Sequence, residues 1–155
     1  MHVDGHEDAW PPSLSPTGEG SDSEVALALG LVDEPLPEPL GRLVPLLRPE
    51  AVAMLGPRDR CEIESEAGSS LDGTVAVFRD DNAVRARGVA ASASEAAVRI
   101  ARAAPAFWLH LDLDVLRTQE LAAVDYPQPG GLSWAELLEL AGTALMAAGC
   151  AGSAS

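Results

Sequence analysis

The sequence predicts an α/β fold, built as a three-layer α/β/α arrangement around a parallel sheet. Two observations predict it. Short apolar runs of strand length alternate with longer runs of helical apolar spacing, and that alternation builds parallel βαβ units. Three of the helical runs are also preceded by Ser-x-x-Glu, a pattern that satisfies the free amides at a helix N-terminus.

The elements follow in order. His2-Val3 reads as the tail of a strand, and the Pro- and Ser-rich residues 11–18 read as a loop. Ser21 and Glu24 announce a first helix carrying Val25, Leu27, Ala28, Leu29 and Leu31. Residues 34–39 hold Pro35, Pro37 and Pro39, so they cannot be helical. Residues 52–55 and 75–78 read as strands. Ser92 and Glu95 announce a second helix with Ala96, Ala97, Val98, Ile100 and Ala101, and residues 107–113 form the next strand. Ser133 and Glu136 open a third helix through Leu137, Leu138, Leu140, Leu145 and Met146, with Gly149 as its stop. No internal repeat or boundary interrupts this order, so residues 1–155 are expected to form one domain.

Composition narrows the function. Of 155 residues, 47% are hydrophobic, and the net charge is −14. Such a surface repels phosphate backbones, which argues against nucleic acid, and attracts cations, whether metal ions or guanidinium groups. Every basic residue is Arg. Cys61 and Cys150 form no Cys-x-x-Cys and are expected to be free thiols in a reducing compartment. The first residues lack the basic and apolar regions of a signal peptide. No apolar run approaches the ~20 residues of a membrane span. A cytoplasmic location is the resulting expectation.

Two stretches carry chemistry. In Asp4-Gly5-His6-Glu7-Asp8, an extended backbone would place Asp4, His6 and Asp8 on one side. Two carboxylates and an imidazole crowded together are costly without compensation, and a divalent cation compensates them. A solvated acidic segment accounts for the pentapeptide equally well. In Phe107-Trp108-Leu109-His110-Leu111-Asp112-Leu113-Asp114-Val115, alternation puts His110, Asp112 and Asp114 opposite Leu109, Leu111, Leu113 and Val115. Polar residues on a strand covered on both faces need a reason, and ligands bind beyond the carboxyl ends of such strands. A metal site is favoured here over an edge strand with one wet face.

Taken together, the two motifs resemble those of the arginase/agmatinase (ureohydrolase) family. Pro129-Gly130-Gly131-Leu132-Ser133 resembles the Gly-Gly-Leu-Thr/Ser that opens a helix in that family. Leu55-Gly56-Pro57-Arg58-Asp59 resembles its strand-end Gly-x-Arg-Asp, and Thr17-Gly18 lies where its substrate-specificity loop falls. The resemblance spans essentially the whole chain and implies the arginase/deacetylase fold. It also implies two Mn²⁺ ions: Asp4 and Asp112 bridge them, His6 and Asp114 bind one, and Asp8 binds the other. The implied reaction is hydrolysis of a linear guanidino C–N bond to urea and an amine. Formimidoylglutamase-like hydrolysis is an alternative, as is a non-catalytic metal-binding fragment or pseudoenzyme. Arg58 and Asp59 are expected to be a buried pair or other structural support. The resemblance assigns no catalytic or substrate-binding residue here. It does imply a small guanidino substrate and a possible homo-oligomer, and it implies neither nucleic acid nor membrane as partner.

The chain also departs from the family pattern. In that family a Gly-Gly-Asp-His segment precedes the Asp-x-His-x-Asp strand, whereas here Met1 lies inside that strand. A guanidinium-binding glutamate follows the last helix there, whereas residues 150–155 reach only the start of that strand. The chain is therefore expected to be the central part of a ureohydrolase-like domain, with exposed sheet edges that favour marginal stability or self-association. Arg117-Thr118 stands where Asp-Pro is usual, residues 17–21 hold no histidine, and His110 stands where Ser or Thr is common. These differences point away from arginine as the substrate.

Overall fold

Ala53 and Leu55 face one side of strand β2 (Ala53–Gly56) and Met54 faces the other, and all three are fully buried. Period-2 alternation with both sides apolar is what a central parallel strand requires. In the computed structural model, which describes residues 1–66 and 68–154, β2 belongs to a five-stranded sheet with β1 (His2–Val3), β3 (Val77–Asp80), β4 (Phe107–Leu111) and β5 (Cys150–Ala154). The spatial order is β3-β2-β1-β4-β5, and every pairing is parallel. The chain runs outward from β1 through β2 to β3, then returns to place β4 on the other side of β1. The switch point of the sheet therefore lies between β1 and β4, and ligand crevices of open α/β sheets form at such points.

Among the described residues, five α-helices flank the sheet: α1 (Glu24–Leu29), α2 (Arg60–Ser65), α3 (Asp81–Arg87), α4 (Val89–Ile100) and α5 (Trp134–Met146). Val3, Leu55 and Leu109 pack with Ala93, Ile100, Leu137 and Leu140 from α4 and α5. Met54 packs on the opposite face with Val25, Leu29 and Ile63 from α1 and α2. This is the expected three-layer order. Ile100, Leu109 and Leu140 are fully buried, and each such side chain contributes about 1.5–3 kcal/mol. Among the described residues, no helix is long and apolar enough to cross a membrane.

Only one of the three expected capping boxes forms. At α5, Ser133 Oγ accepts from the Glu136 amide, and the Glu136 carboxylate accepts from the Ser133 amide at 2.7 Å. At α1, Ser21 lies in a preceding 3₁₀ turn (Gly20–Ser23), and the Asp8 carbonyl accepts from the Val25 and Ala26 amides instead. A tertiary acceptor has replaced the local one. Ser92 lies inside α4, buried, with its hydroxyl directed at the Val84 carbonyl. The start of α4 is set instead by Gly88, whose φ of 92° breaks the chain between α3 and α4. Helix α3 was not anticipated. Its cap is the Asp80 carboxylate, which accepts from the Ala83 amide at 2.6 Å. Strand β3 lies two residues later than the apolar run suggested, and β4 ends at Leu111, ahead of a 3₁₀ turn over Leu113–Val115.

A carboxylate and histidine cluster at the sheet switch point

The register of the sheet creates the cluster. β1 and β4 pair in parallel with His2 opposite His110 and Val3 opposite Leu111. The residues that follow, Asp4 and Asp112, leave the carboxyl ends of adjacent strands together. A His-x-Asp triplet thus recurs on both sides of the switch point. The imidazoles of His2 and His110 stack, with centroids 4.5 Å apart and planes 7° from parallel.

Asp4 is the centre of the cluster. Its Oδ2 lies 3.2 Å from His2 Nε2 and 3.4 Å from His110 Nε2, and Asp8 Oδ2 lies 3.3 Å from the same His2 nitrogen. Its Oδ1 accepts from the His6 amide at 2.8 Å and lies 3.8 Å from His6 Nδ1. His6 Nδ1 in turn lies 2.7 Å from Asp114 Oδ2. The two oxygens of Asp4 therefore serve two different groups, one with His2 and Asp8 and the other with His6 and Asp114. Donor atoms of His2, Asp4 and Asp8 lie close enough together to share a cation, as do those of Asp4, His6 and Asp114, and those of Asp4, His110 and Asp112.

The five residues expected from sequence converge, though not by strand alternation. Only His2–Val3 is strand, and residues 4–8 form a tight irregular turn ending at Asp8 with a φ of 49°. Asp112 and Asp114 likewise lie past the end of β4, where Asp112 Oδ1 accepts from the Asp114 amide at 2.9 Å. Sequence reasoning missed His2 as a contributor and gave His110 no metal role. The repeated His-x-Asp was the available signal.

A polar scaffold holds the turn. Asp114 Oδ1 accepts from the Gly5 amide at 2.8 Å, leaving Oδ2 to His6. Arg58 donates to the carbonyls of Asp114 and Val115 at 2.8 and 2.9 Å. Asp59 accepts from the Glu7 amide at 3.0 Å. Among the described residues Arg58 and Asp59 form no ion pair with each other, so of the two expectations structural support holds, as two separate grips on backbone, and the buried pair does not. Glu7, fully buried and unassigned from sequence, accepts from Ser70 Oγ at 2.8 Å and the Leu71 amide at 2.6 Å.

Burial and crowding shift the protonation of these groups. Burial opposes charge on His2, but the carboxylates of Asp4 and Asp8 outweigh it and lift the imidazole to about 9. His6, opposed by burial in the same way, is raised to about 9 by Asp114. Burial pushes against ionised Asp4, yet His110 and His2 hold it well below the usual carboxylate range. Burial raises Asp8 to about 6 and Asp59 to about 7, and it also raises Asp112 and Glu7.

The cluster forms the floor of a cavity of about 630 Å³. The rim comes from residues 10–24 and 121–128, including Glu19, Asp22, Glu24, Asp125 and Tyr126. Asp22 orders the first of these segments by accepting from Ser15 Oγ at 2.5 Å and Thr17 Oγ1 at 2.9 Å. Among the described residues the lining holds carboxylates and imidazoles but no Arg. A second hollow, of about 760 Å³ between α4 and α5, is lined by small and apolar side chains and carries no comparable chemistry.

The sequence model of the arginase family matches residues 1–149. Arginase from Bacillus subtilis superposes with a TM-score of 0.75 at 22% identity, covering 98% of this chain and 53% of that one. Entamoeba histolytica arginase in complex with L-ornithine gives 0.75 at 19% identity, covering 98% and 50%. A hypothetical agmatinase from Burkholderia thailandensis gives 0.68 at 18% identity, covering 99% and 41%. The chain thus spans about half the length of the structures it matches. No curated protein sequence matches it.

Proposed function

The chain belongs to the arginase family, and from that premise we propose that the cluster binds two divalent cations, Mn²⁺ in the family's manner, and serves hydrolysis of a guanidino C–N bond. The observation that carries this reading is the division of Asp4, with one oxygen facing His2 and Asp8 and the other facing His6 and Asp114. The residues fit such ions. Their donors are hard carboxylate oxygens and borderline imidazole nitrogens. The Nε2 atom of His2, which faces Asp4 and Asp8, is buried with no hydrogen-bond partner.

When bound, a pair of divalent cations supplies Lewis acidity and a nucleophile drawn from water at neutral pH. Asp4, Asp8, His6, Asp112 and Asp114 would hold the pair. In the overall reaction water adds oxygen to the guanidinium carbon, the C–N bond to the alkyl chain breaks, and a proton reaches the departing amine. The products are urea and the amine. Glu19, Asp22, Glu24 and Asp125 at the rim draw a cationic substrate towards the floor. The carboxylates at the rim repel a substrate carboxylate, which supports an amine- or alkyl-tailed guanidine over arginine itself.

Metal analysis followed by urea release from a panel of guanidino compounds tests the proposal. The expected result is about two Mn²⁺ per chain and turnover of agmatine-like substrates ahead of arginine. Two bound ions with no urea from any substrate would leave a non-catalytic metal-binding protein and overturn the hydrolase reading.

A further inference from the structure

His2 precedes the motif that directed attention to this site, and none of the roles above is assigned to it. Its side chain is nevertheless aimed into the cluster. The residue is 7% exposed, and its Nε2 is wholly buried. Asp4 Oδ2 lies 3.2 Å and Asp8 Oδ2 3.3 Å from that nitrogen, yet Nε2 makes no hydrogen bond with acceptable angles. Leaving a buried polar atom without a partner is costly, so the atom calls for an unseen partner. Neighbouring ligands on a six-coordinate ion with bonds of ~2.1 Å stand about 3 Å apart. The spacing of these three atoms fits that pattern.

We propose that His2 is a metal ligand, its Nε2 joining Asp4 and Asp8 at one cation position. This rests on the two-ion reading above and deepens it. Each position then receives one imidazole nitrogen, from His2 at one and His6 at the other, with Asp4 shared between them. The stacked ring of His110, in register on β4, holds the His2 plane towards the carboxylates and acts as a positioning residue. The competing account makes His2 an imidazolium that merely neutralises Asp4 and Asp8.

Mn²⁺ titration of the full chain, read by calorimetry and by pulsed electron paramagnetic resonance for imidazole nitrogen coupling, separates the two. The chain has only three histidines, so couplings can be attributed. His2→Ala is expected to lose one of two ions, with affinity at that position falling at least 10–100-fold, while the remaining ion keeps its nitrogen coupling. In a chain carrying His6→Ala and His110→Phe, which keeps an aromatic ring stacked on His2, His2 is the sole histidine and Mn²⁺ is expected still to show imidazole coupling. This second chain keeps the test open even where His2→Ala misfolds. Absence of coupling there, or two ions bound with unchanged affinity in His2→Ala, overturns the proposal alone. Failure of the unaltered chain to bind Mn²⁺ overturns the two-ion reading together with it.

Discussion

A methyl group built on Gly5 would stand 2.8 Å from both Arg58 Nη2 and Asp114 Oδ1, and 2.9 Å from the Asp114 carbonyl oxygen. None of these can withdraw freely, because Arg58 grips that carbonyl and Asp114 Oδ1 accepts from the Gly5 amide. Glycine is required here by close approach. Gly5→Ala is expected to destabilise the fold by about 1–3 kcal/mol, as overpacking does. It should also weaken Mn²⁺ binding by 10-fold or more by displacing Asp114 from its position against His6. Urea denaturation and calorimetric titration measure the two effects, and unchanged values for both would remove Gly5 from the account. At this scale the sequence was informative about residue type and weak about geometry. Asp4, His6, Asp8, Asp112 and Asp114 were legible because carboxylates and imidazoles at alternate positions demand compensation. His2 was not, because its partners are set by strand register, which one strand read alone does not reveal. Glu7 was hidden for a similar reason, since its partners Ser70 and Leu71 are more than sixty positions away.

Helix starts show how local signals compete with tertiary ones. Ser-x-x-Glu occurs three times, and only Ser133–Glu136 closes as a box, because the Asp8 carbonyl takes the first amides of α1 and Ser92 lies inside α4. Ser133→Ala is expected to lower stability by about 1 kcal/mol, read as a lower urea midpoint at constant m-value, whereas Ser92→Ala should leave the α4 N-terminus intact. Equal effects on capping from both would contradict the assignment. The start of α5 is also pinned to α3. Asp81 Oδ2 accepts from the Gly131 amide at 2.8 Å and from Arg85 at 2.7 Å, while Arg85 donates to the Gly131 carbonyl at 2.7 Å. Burial opposes ionisation of Asp81, but the Gly131 and Arg85 donors win and set its carboxyl below the ordinary 3.8. A carboxyl lowered on folding contributes stability that is fully present above the unfolded value and is lost as pH falls through the folded one. Acid unfolding below about pH 4 should therefore be shallower in Asp81→Asn than in the unaltered chain. Parallel acid limbs would show that Asp81 contributes nothing through its charge. The pin was illegible in sequence because it joins positions fifty residues apart.

Three-layer order was legible because alternation of strand-length and helix-length apolar runs survives errors of a few residues at each boundary. The strand order was not, since nothing local says that β4 returns to the far side of β1. That return creates the crevice and leaves β5 at the sheet edge. β5 carries no charged residue, and Trp108 beside it is 54% exposed, its indole lying against Gly152. Uncharged strand edges and bare aromatic faces promote pairing between chains. At the same time, the cluster crowds Asp4, Asp8, Asp112 and Asp114 around three imidazoles, a repulsion that cations relieve. Both features bear on the stability of the molecule as a whole. Without metal the chain is expected to melt at low temperature and to associate with rising concentration. At free Mn²⁺ about 100-fold above its dissociation constant, linkage adds roughly 2.7 kcal/mol, which for a domain of this size is a rise of about 5–11 °C in Tm. Asp4→Asn, which removes a charge from the carboxylate common to both groups, should abolish most of that rise, and because His2 and His110 favour ionised Asp4 it should also lower the metal-free melt. Differential scanning calorimetry with and without Mn²⁺, paired with sedimentation velocity, measures both behaviours. A monomer with a high Tm indifferent to Mn²⁺ would contradict the coupling of cluster and sheet on which the expectation depends.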